Sequence, residues 1–253
     1  MALNPRIASW TGRRVWIVGA SSGIGAATAA LLIGRGARVA VSARSAQALH
    51  ERFAGNALIV PADVTDAQAT QTAAGHVASA LGSIDLVLNF AGTYREMRPW
   101  DMDLAAVRGI IELNFTGDFN LLAAAQPHLK SGGGVGLVSS VAGYGGLPNS
   151  LAYGASKAAL INLAQSLWLD YRSRGVAVYL VNPGFVETPL SAKNRFPMPF
   201  LIKAEAAARA IVAGLERGAF EIHFPRRFSG MLKLLNLFPY PLYFWCVRKF
   251  TGL

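Results

Sequence analysis

The chain has 253 residues, 53% of them hydrophobic and 15% charged, with 24 Lys/Arg against 14 Asp/Glu for a net charge of +10. That length suits one large α/β domain with a sizeable core, and the high hydrophobicity excludes a disordered chain. The single cysteine, Cys246, excludes an internal disulfide and fits a reducing compartment.

Short β-branched runs alternate with longer Ala- and Leu-rich stretches. Val15–Val18 is the first predicted strand, and Ala26–Ile33 follows as a helix. Arg38–Val41 and Leu58–Val60 are the second and third strands, with a helix over Asp66–Leu81. Leu86–Leu88 is the fourth, followed by a helical stretch over Asp101–Ala125. Val135–Val138 is the fifth, Ser156–Tyr171 the next helix and Val176–Val181 the sixth strand. Lys203–Glu216 adds a helix and Phe220–His223 a last strand. Near-continuous apolar strands belong to a parallel sheet buried on both faces. Their alternation with helices predicts right-handed βαβ units, and so an α/β, doubly wound (Rossmann) parallel sheet with helices on both faces in a single domain. Residues 1–224 are assigned to that domain. Pro183–Pro199, with four prolines, reads as a functional loop and forms most of a substrate lid over 185–202. Residues 225–253 are assigned to a basic, aromatic C-terminal extension.

Met1–Trp16 carries Arg6, Arg13 and Arg14 without an apolar run, which is no secretory signal. The longest apolar stretch, Leu234–Val247, is interrupted by Asn236, Pro239 and Pro241 and is too short and broken to span a bilayer. A cytoplasmic protein is expected. No compact basic cluster carries a nucleic-acid motif, so no nucleic-acid partner is expected. His50, His76, His128 and His223 lack metal-ligand spacing, and no metal is expected.

The first strand runs into Gly19-Ala20-Ser21-Ser22-Gly23-Ile24-Gly25 and then a helix. Glycines permit a tight turn and close backbone approach to a pyrophosphate, and the helix N-terminus supplies free N–H groups and a positive dipole end. The spacing, G-x-x-x-G-x-G, resembles that of the short-chain dehydrogenase/reductase family in its single-domain form. Further motifs occur in the family's order: Asp63-Val64, Asn89-Phe90-Ala91-Gly92, Asn114, Ser139-Ser140, Tyr153-Gly154-Ala155-Ser156-Lys157 and Pro183-Gly184. Val18 and Phe90 depart from the family's usual Thr and Asn. The resemblance implies adenine contacts at Asp63 and Val64, cofactor contacts at Asn89, Ala91, Gly92, Pro183, Gly184 and Val186, and a contact of Thr188 with the nicotinamide carboxamide or phosphates. Ala43 stands where an NAD-type member would have Asp, and Arg44 follows with a planar fork of donors for a 2′-phosphate. NADP is therefore the expected cofactor, with NAD as the alternative; Ser22, where many NADP-using relatives are basic, weighs the other way.

Tyr153 and Lys157 are four apart in a helical pattern and share a face. A nearby cation favours the phenolate and lowers the tyrosine pKa, which makes the pair a tunable acid/base. The family spacing selects Ser140 over Ser139 as the hydroxyl that orients the substrate oxygen. By resemblance Lys157 also holds the nicotinamide ribose, and Asn114 holds a water beside it. In the reductive direction Ser140 and Tyr153 grip the carbonyl oxygen, hydride arrives at carbon, Tyr153 protonates the alkoxide, and Lys157, water and Asn114 resupply the proton.

The lid contains Phe196, Pro197, Met198, Pro199, Phe200 and Leu201, which points to an apolar carbonyl or alcohol substrate. Phe224–Leu253 holds 8 of 25 aromatics and five Lys/Arg with no acid. This tail is expected to close the pocket or form a homodimer or homotetramer interface; the alternative is peripheral contact with the inner membrane face. Two other functions fit parts of the sequence: a non-catalytic nucleotide-binding regulator or scaffold, and a ketoacyl reductase acting on a carrier-bound chain. The complete set of Asn114, Ser140, Tyr153 and Lys157 favours an enzyme over a scaffold.

Overall fold

The computed structural model describes residues 2–194 and 196–252. The predicted lid and extension reach Arg195 and Leu253, which lie outside the described residues.

Apolar β-branched runs build a seven-stranded, all-parallel sheet. Its strands are β1 (Arg14–Val18), β2 (Arg38–Ser42), β3 (Leu58–Ile59), β4 (Ile84–Asn89), β5 (Leu129–Val138), β6 (Ala177–Pro183) and β9 (Glu221–Phe224), in the order β3-β2-β1-β4-β5-β6-β9. A separate two-residue pair, β7 (Val186–Glu187) and β8 (Ile202–Lys203), joins in parallel at the base of the lid. The nine helices among the described residues are α1 (Gly23–Gly34), α2 (Ala46–Phe53), α3 (Ala67–Leu81), α4 (Leu104–Ile111), α5 (Gly117–Ala125), α6 (Leu151–Tyr171), α7 (Ala204–Glu216), α8 (Arg226–Leu235) and α9 (Tyr240–Thr251). The doubly wound architecture matches the one predicted.

Each sheet face carries its own core. Leu32 and Ala29 of α1, Leu49 of α2 and Ile211 of α7 pack on one side against Val15, Ile17 and Val41. Ala73 and Val77 of α3, Leu121 of α5 and Ala164 of α6 pack on the other against Trp16, Val87 and Val135. Helix starts follow local chemistry: the Asp66 carboxylate accepts from Ala69 N at 2.9 Å, and Asp103 Oδ1 accepts from Ala105 N at 3.0 Å. α3 ends at Gly82 in the left-handed conformation (φ 91). Trp16 is buried beside β2 and donates through Nε1 to Ser42 Oγ at 2.8 Å.

Strand order reverses where β1 sits between β2 and β4. At such a switch point the loops leaving the carboxyl ends of the strands diverge and leave a crevice. Three expectations shift here. The helix predicted over Asp101–Ala125 is α4, a π-helical turn (Glu112–Thr116) and α5. β5 begins at Leu129 rather than Val135, running through a glycine-rich, largely exposed half that periodicity does not mark. The helix expected from Ser156 begins at Leu151, so Tyr153 lies in its first turn. None of the helices among the described residues is long and apolar enough to cross a membrane.

Candidate active site

The crevice is a cleft of about 1540 Å³. Of the predicted site residues, all but Asn89 and Asn114 border it. Its floor on the β1 side is the glycine turn. Gly19 has φ +78, and a Cβ there would lie 2.4 Å from Ala91 N and 2.5 Å from Phe90 C. A Cβ at Gly25 would lie 2.3 Å from Gly19 O. Only glycine lets this turn fold onto itself and onto the segment after β4. Gly23 (φ +56) faces Thr188, whose Cγ2 would be 2.9 Å from an added Cβ, so the base of the lid presses on the turn. Ser22 is the N-cap of α1, yet no side-chain capping bond forms among the described residues, and the first-turn N–H groups stay open to the cleft.

Ser21, Ile24 and Val186 border the same hollow. Arg44 stands exposed at its edge after β2, next to Ser45, which caps α2. Asp63 borders the cleft, and its Oδ1 accepts from Thr65 N at 3.0 Å and from Thr65 Oγ1 at 2.9 Å, which shapes its own turn. Val64 O accepts from Asn120 Nδ2 at 2.8 Å, which fixes that loop to α5. Asn89 turns away from the cleft and braces the next residues, its Oδ1 accepting from Ala91 N at 3.0 Å.

Tyr153 and Lys157 project from one face of α6 toward the ends of β4 and β5. The Tyr153 ring meets Tyr94 edge-on with centroids 5.1 Å apart, and Lys157 Nζ lies 5.8 Å from the Tyr153 ring centroid. Lys157 is buried, and Nζ donates to Val138 O at 2.8 Å. Ser139 Oγ is committed to Lys157 O at 2.6 Å. That leaves Ser140, whose Oγ lies 3.4 Å from Pro183 O and accepts from Ala142 N at 3.2 Å, as the hydroxyl near the phenol. Gly143 permits this approach: a Cβ there would sit 2.7 Å from Lys157 C.

The electrostatics correct one expectation. Burial pushes the Tyr153 phenol up, with the Ser140 hydroxyl pulling it partly back, and Lys157 does not reverse the sign. Burial lowers the Lys157 ammonium from 10.5 to about 8, opposed by Asp118. Desolvation of both groups in this pocket outweighs the cation's pull on the phenol.

Asn114 is buried in the π-helical turn, on the same side of Gly92 as Lys157. The π-helical turn rotates it into the protein, where Oδ1 accepts from Thr93 N at 2.7 Å and Nδ2 donates to Thr93 O at 2.9 Å. Nδ2 also reaches Ser156 Oγ at 3.3 Å. The amide thus clamps the segment leaving β4 to α6. A gap remains next to it: a Cβ at Gly92 would lie 3.4 Å from Asn114 Oδ1 and 3.7 Å from Lys157 Nζ.

Sequence reasoning missed Asp118, one helical turn beyond Asn114. It is buried, and Oδ1 finds no hydrogen-bond partner among the described residues, nor does Asn89 Nδ2. Burial pushes its carboxyl up to about 7, while Asn89 and Lys157 pull it down. The i, i+4 spacing from Asn114 was the available signal. The tail walls the cleft, with Phe228, Met231, Leu232, Leu235 and Phe250 on its border. Phe228 of α8 stacks on Phe185 and Phe200, with centroids 5.5 and 5.9 Å apart, so the lid rests on the C-terminal helices. Among the described residues no cluster of three or more His, Cys, Asp or Glu could hold a metal.

The glycine turn, the open N-terminus of α1 and the Tyr153–Lys157 pair at one switch point direct attention to known dinucleotide enzymes. The family model for short chain dehydrogenases matches residues 13–198. An uncharacterised oxidoreductase of Myxococcus xanthus is 38% identical over 250 residues, covering 94% of this chain and 97% of the relative. A cis-4-hydroxycyclohexanecarboxylate dehydrogenase of Sinomonas cyclohexanicum is 37% identical over 79% of this chain and 82% of its own length. The crystal structure of a short chain dehydrogenase of Burkholderia cenocepacia, in complex with NADP, superposes with a TM-score of 0.83 at 28% identity, covering 93% of this chain and 97% of that one. The chain belongs to the short-chain dehydrogenase family and is an oxidoreductase of alcohol and carbonyl groups.

Proposed function

We propose that the protein is an NADP-dependent oxidoreductase acting on a hydrophobic carbonyl or alcohol substrate, with residues 1–224 as the catalytic domain and 225–253 as an extension that walls the cleft. The observation that carries this reading is the shared cleft of the glycine cradle, Ser140, Tyr153 and Lys157. The cradle fits a dinucleotide: Gly19, Gly23 and Gly25 border the cleft at the open N-terminus of α1, and a side chain at Gly19 or Gly25 would collide with the backbone that shapes this turn. When bound, the nicotinamide supplies or accepts the hydride.

Every other step belongs to the chain's own groups. Gly19, Ser21, Ser22, Gly23, Ile24 and Gly25 offer backbone and hydroxyl donors to the pyrophosphate. Arg44 offers its guanidinium to a 2′-phosphate. Asp63, Val64, Asn89, Ala91 and Gly92 shape the adenosine side; Pro183, Gly184, Val186 and Thr188 shape the nicotinamide side. Ser140 holds the substrate oxygen, and Tyr153 gives it a proton in reduction or takes one in oxidation. A phenol held protonated by burial is the ready donor for reduction. Lys157 and the gap beside Gly92 return the proton, with Asn114 holding the segment that lines that gap. Phe185, Phe196, Phe228, Leu232 and Leu235 give the substrate end an apolar wall, which supports a hydrophobic substrate.

The test is an NADPH-oxidation screen over ketones and aldehydes from small polar to long-chain, repeated with NADH. The reading expects turnover that rises with apolar size and a preference for NADPH. No turnover on any member, or a preference for NADH, goes against it.

A further inference from the structure

The two faces of the α8–α9 pair have opposite surroundings. Inward, Leu235, Tyr243, Cys246 and Val247 are buried in a small cluster with Leu147 and Leu232. The Tyr243 hydroxyl donates to Gly146 O at 2.8 Å, and Lys233 pairs with Glu221, so the helices are fixed to the body. Outward, Leu237 is 79% exposed, Tyr240 76%, Phe244 54%, Trp245 58% and Phe250 74%. Single exposed apolar residues are ordinary; five large ones on one short segment, with Tyr240 stacked on Phe244 at 5.7 Å between centroids, mark an interaction surface. Arg226, Arg227 and Lys249 are exposed on the same pair, with Lys249 Nζ 4.9 Å from the Trp245 ring centroid. No Asp or Glu occurs between Phe224 and Leu253.

This face also carries a mouth of the cleft. Phe200, Met231, Leu234 and Phe250 line the cleft and are exposed at the same time. A substrate passing between them would leave an apolar surface and enter an apolar wall without crossing water.

We propose that the α8–α9 pair docks on an anionic lipid surface, lying in its plane, and that the cleft takes an amphiphilic carbonyl or alcohol substrate from that surface. The substrate half rests on the functional reading above and extends it. Charge selects the occupant. A second copy joined across a two-fold axis through this patch would set cations against cations with no acidic residue from 224–253 to answer them. Anionic headgroups supply the missing charge, and Trp, Tyr and Phe beside Lys and Arg match the boundary between headgroups and acyl chains. The helices have 10 and 12 residues, a length that lies on a bilayer rather than spanning it.

The experiment is flotation of the full chain with phosphatidylcholine vesicles, with and without phosphatidylglycerol. The chain should float with the anionic vesicles, and recovery should fall about tenfold on pure phosphatidylcholine. Phe244→Ser/Trp245→Ser and, separately, Arg226→Glu/Arg227→Glu should each lower recovery about tenfold. None of these four residues borders the cleft, so circular dichroism and turnover of a short, water-soluble ketone should stay at the wild-type level. A wild-type chain left at the bottom of the gradient overturns the proposal, as do variants that float equally well. If Phe244→Ser/Trp245→Ser instead converts an oligomer to a monomer in size-exclusion chromatography with no change in flotation, the patch is a subunit interface and the proposal fails. Flotation without turnover of any ketone removes the substrate half and leaves the docking half standing.

Discussion

Asp118→Asn isolates the electrostatics beneath the candidate active site. Asp118 is 2% exposed, and burial raises its carboxyl from 3.8 to about 7 against the pull of Asn89 and Lys157. Between those values the folded chain keeps a proton that the unfolded chain has released, so stability falls as pH rises through that window. The full shift corresponds to about 4 kcal/mol, and relaxation around a buried group brings the expected loss to on the order of 2–4 kcal/mol. Lys157 has the opposite sign at higher pH. Its ammonium is lowered from 10.5 to about 8, so the unfolded chain binds the extra proton and stability rises again between those values. Asparagine at 118 abolishes the first slope and removes the carboxylate that holds Lys157 up. Urea unfolding of both proteins, followed by circular dichroism at steps from about pH 4 to about pH 8, reads the effect directly. The wild type should lose about 2–4 kcal/mol across that range relative to the variant, and the alkaline limb of kcat/KM should move to lower pH in the variant. Parallel stability curves would refute the reasoning.

Three further changes probe separate parts of the site. Arg44→Ala should lower kcat/KM for NADPH about tenfold or more and leave NADH nearly unchanged, because only the 2′-phosphate loses a charged partner; equal losses for both cofactors count against a phosphate contact. Gly92→Ala adds a Cβ in ordinary contact with Asn114 and Lys157, so thermal stability should hold while kcat falls about tenfold through closure of the gap; an unchanged kcat removes the gap from the proton path. Gly143→Ala forces a Cβ to 2.7–2.9 Å from the Lys157 and Ala158 backbone, and should cost about 1–3 kcal/mol by overpacking, read as a drop of several degrees in Tm.

Much of the fold was legible because buried parallel strands leave continuous apolar runs. Val15–Val18 and Arg38–Val41 lie within β1 and β2 for that reason. Elements that lack such a run were lost: α2 is short and amphipathic, and the first half of β5 is a polar, glycine-containing stretch. At the site, Gly19 and Gly25 were readable because glycine at a strand–helix junction has a steric cause. Tyr153 and Lys157 were readable because spacing places them on one helix face. What pattern alone did not convey was where desolvation overrides charge. The phenol is raised although a cation sits by its ring, since both are buried together. Nor did pattern convey that a π-helical turn commits Asn114 to Thr93, or that Asp63 commits one carboxylate oxygen to Thr65. The tail's basic, aromatic character is plain in the sequence, but its packing through Phe228 onto the lid depends on contacts far apart in sequence.

The central claim is that Tyr153 transfers the proton while the rest of the cleft binds the cofactor independently of it. Tyr153→Phe keeps the ring packed against Tyr94 and removes one oxygen. NADPH affinity and turnover of the best ketone from the screen should be measured on the same preparation. The account predicts NADPH binding within about twofold of wild type and turnover lower by about 10²–10⁴. Near-normal turnover in Tyr153→Phe would contradict it.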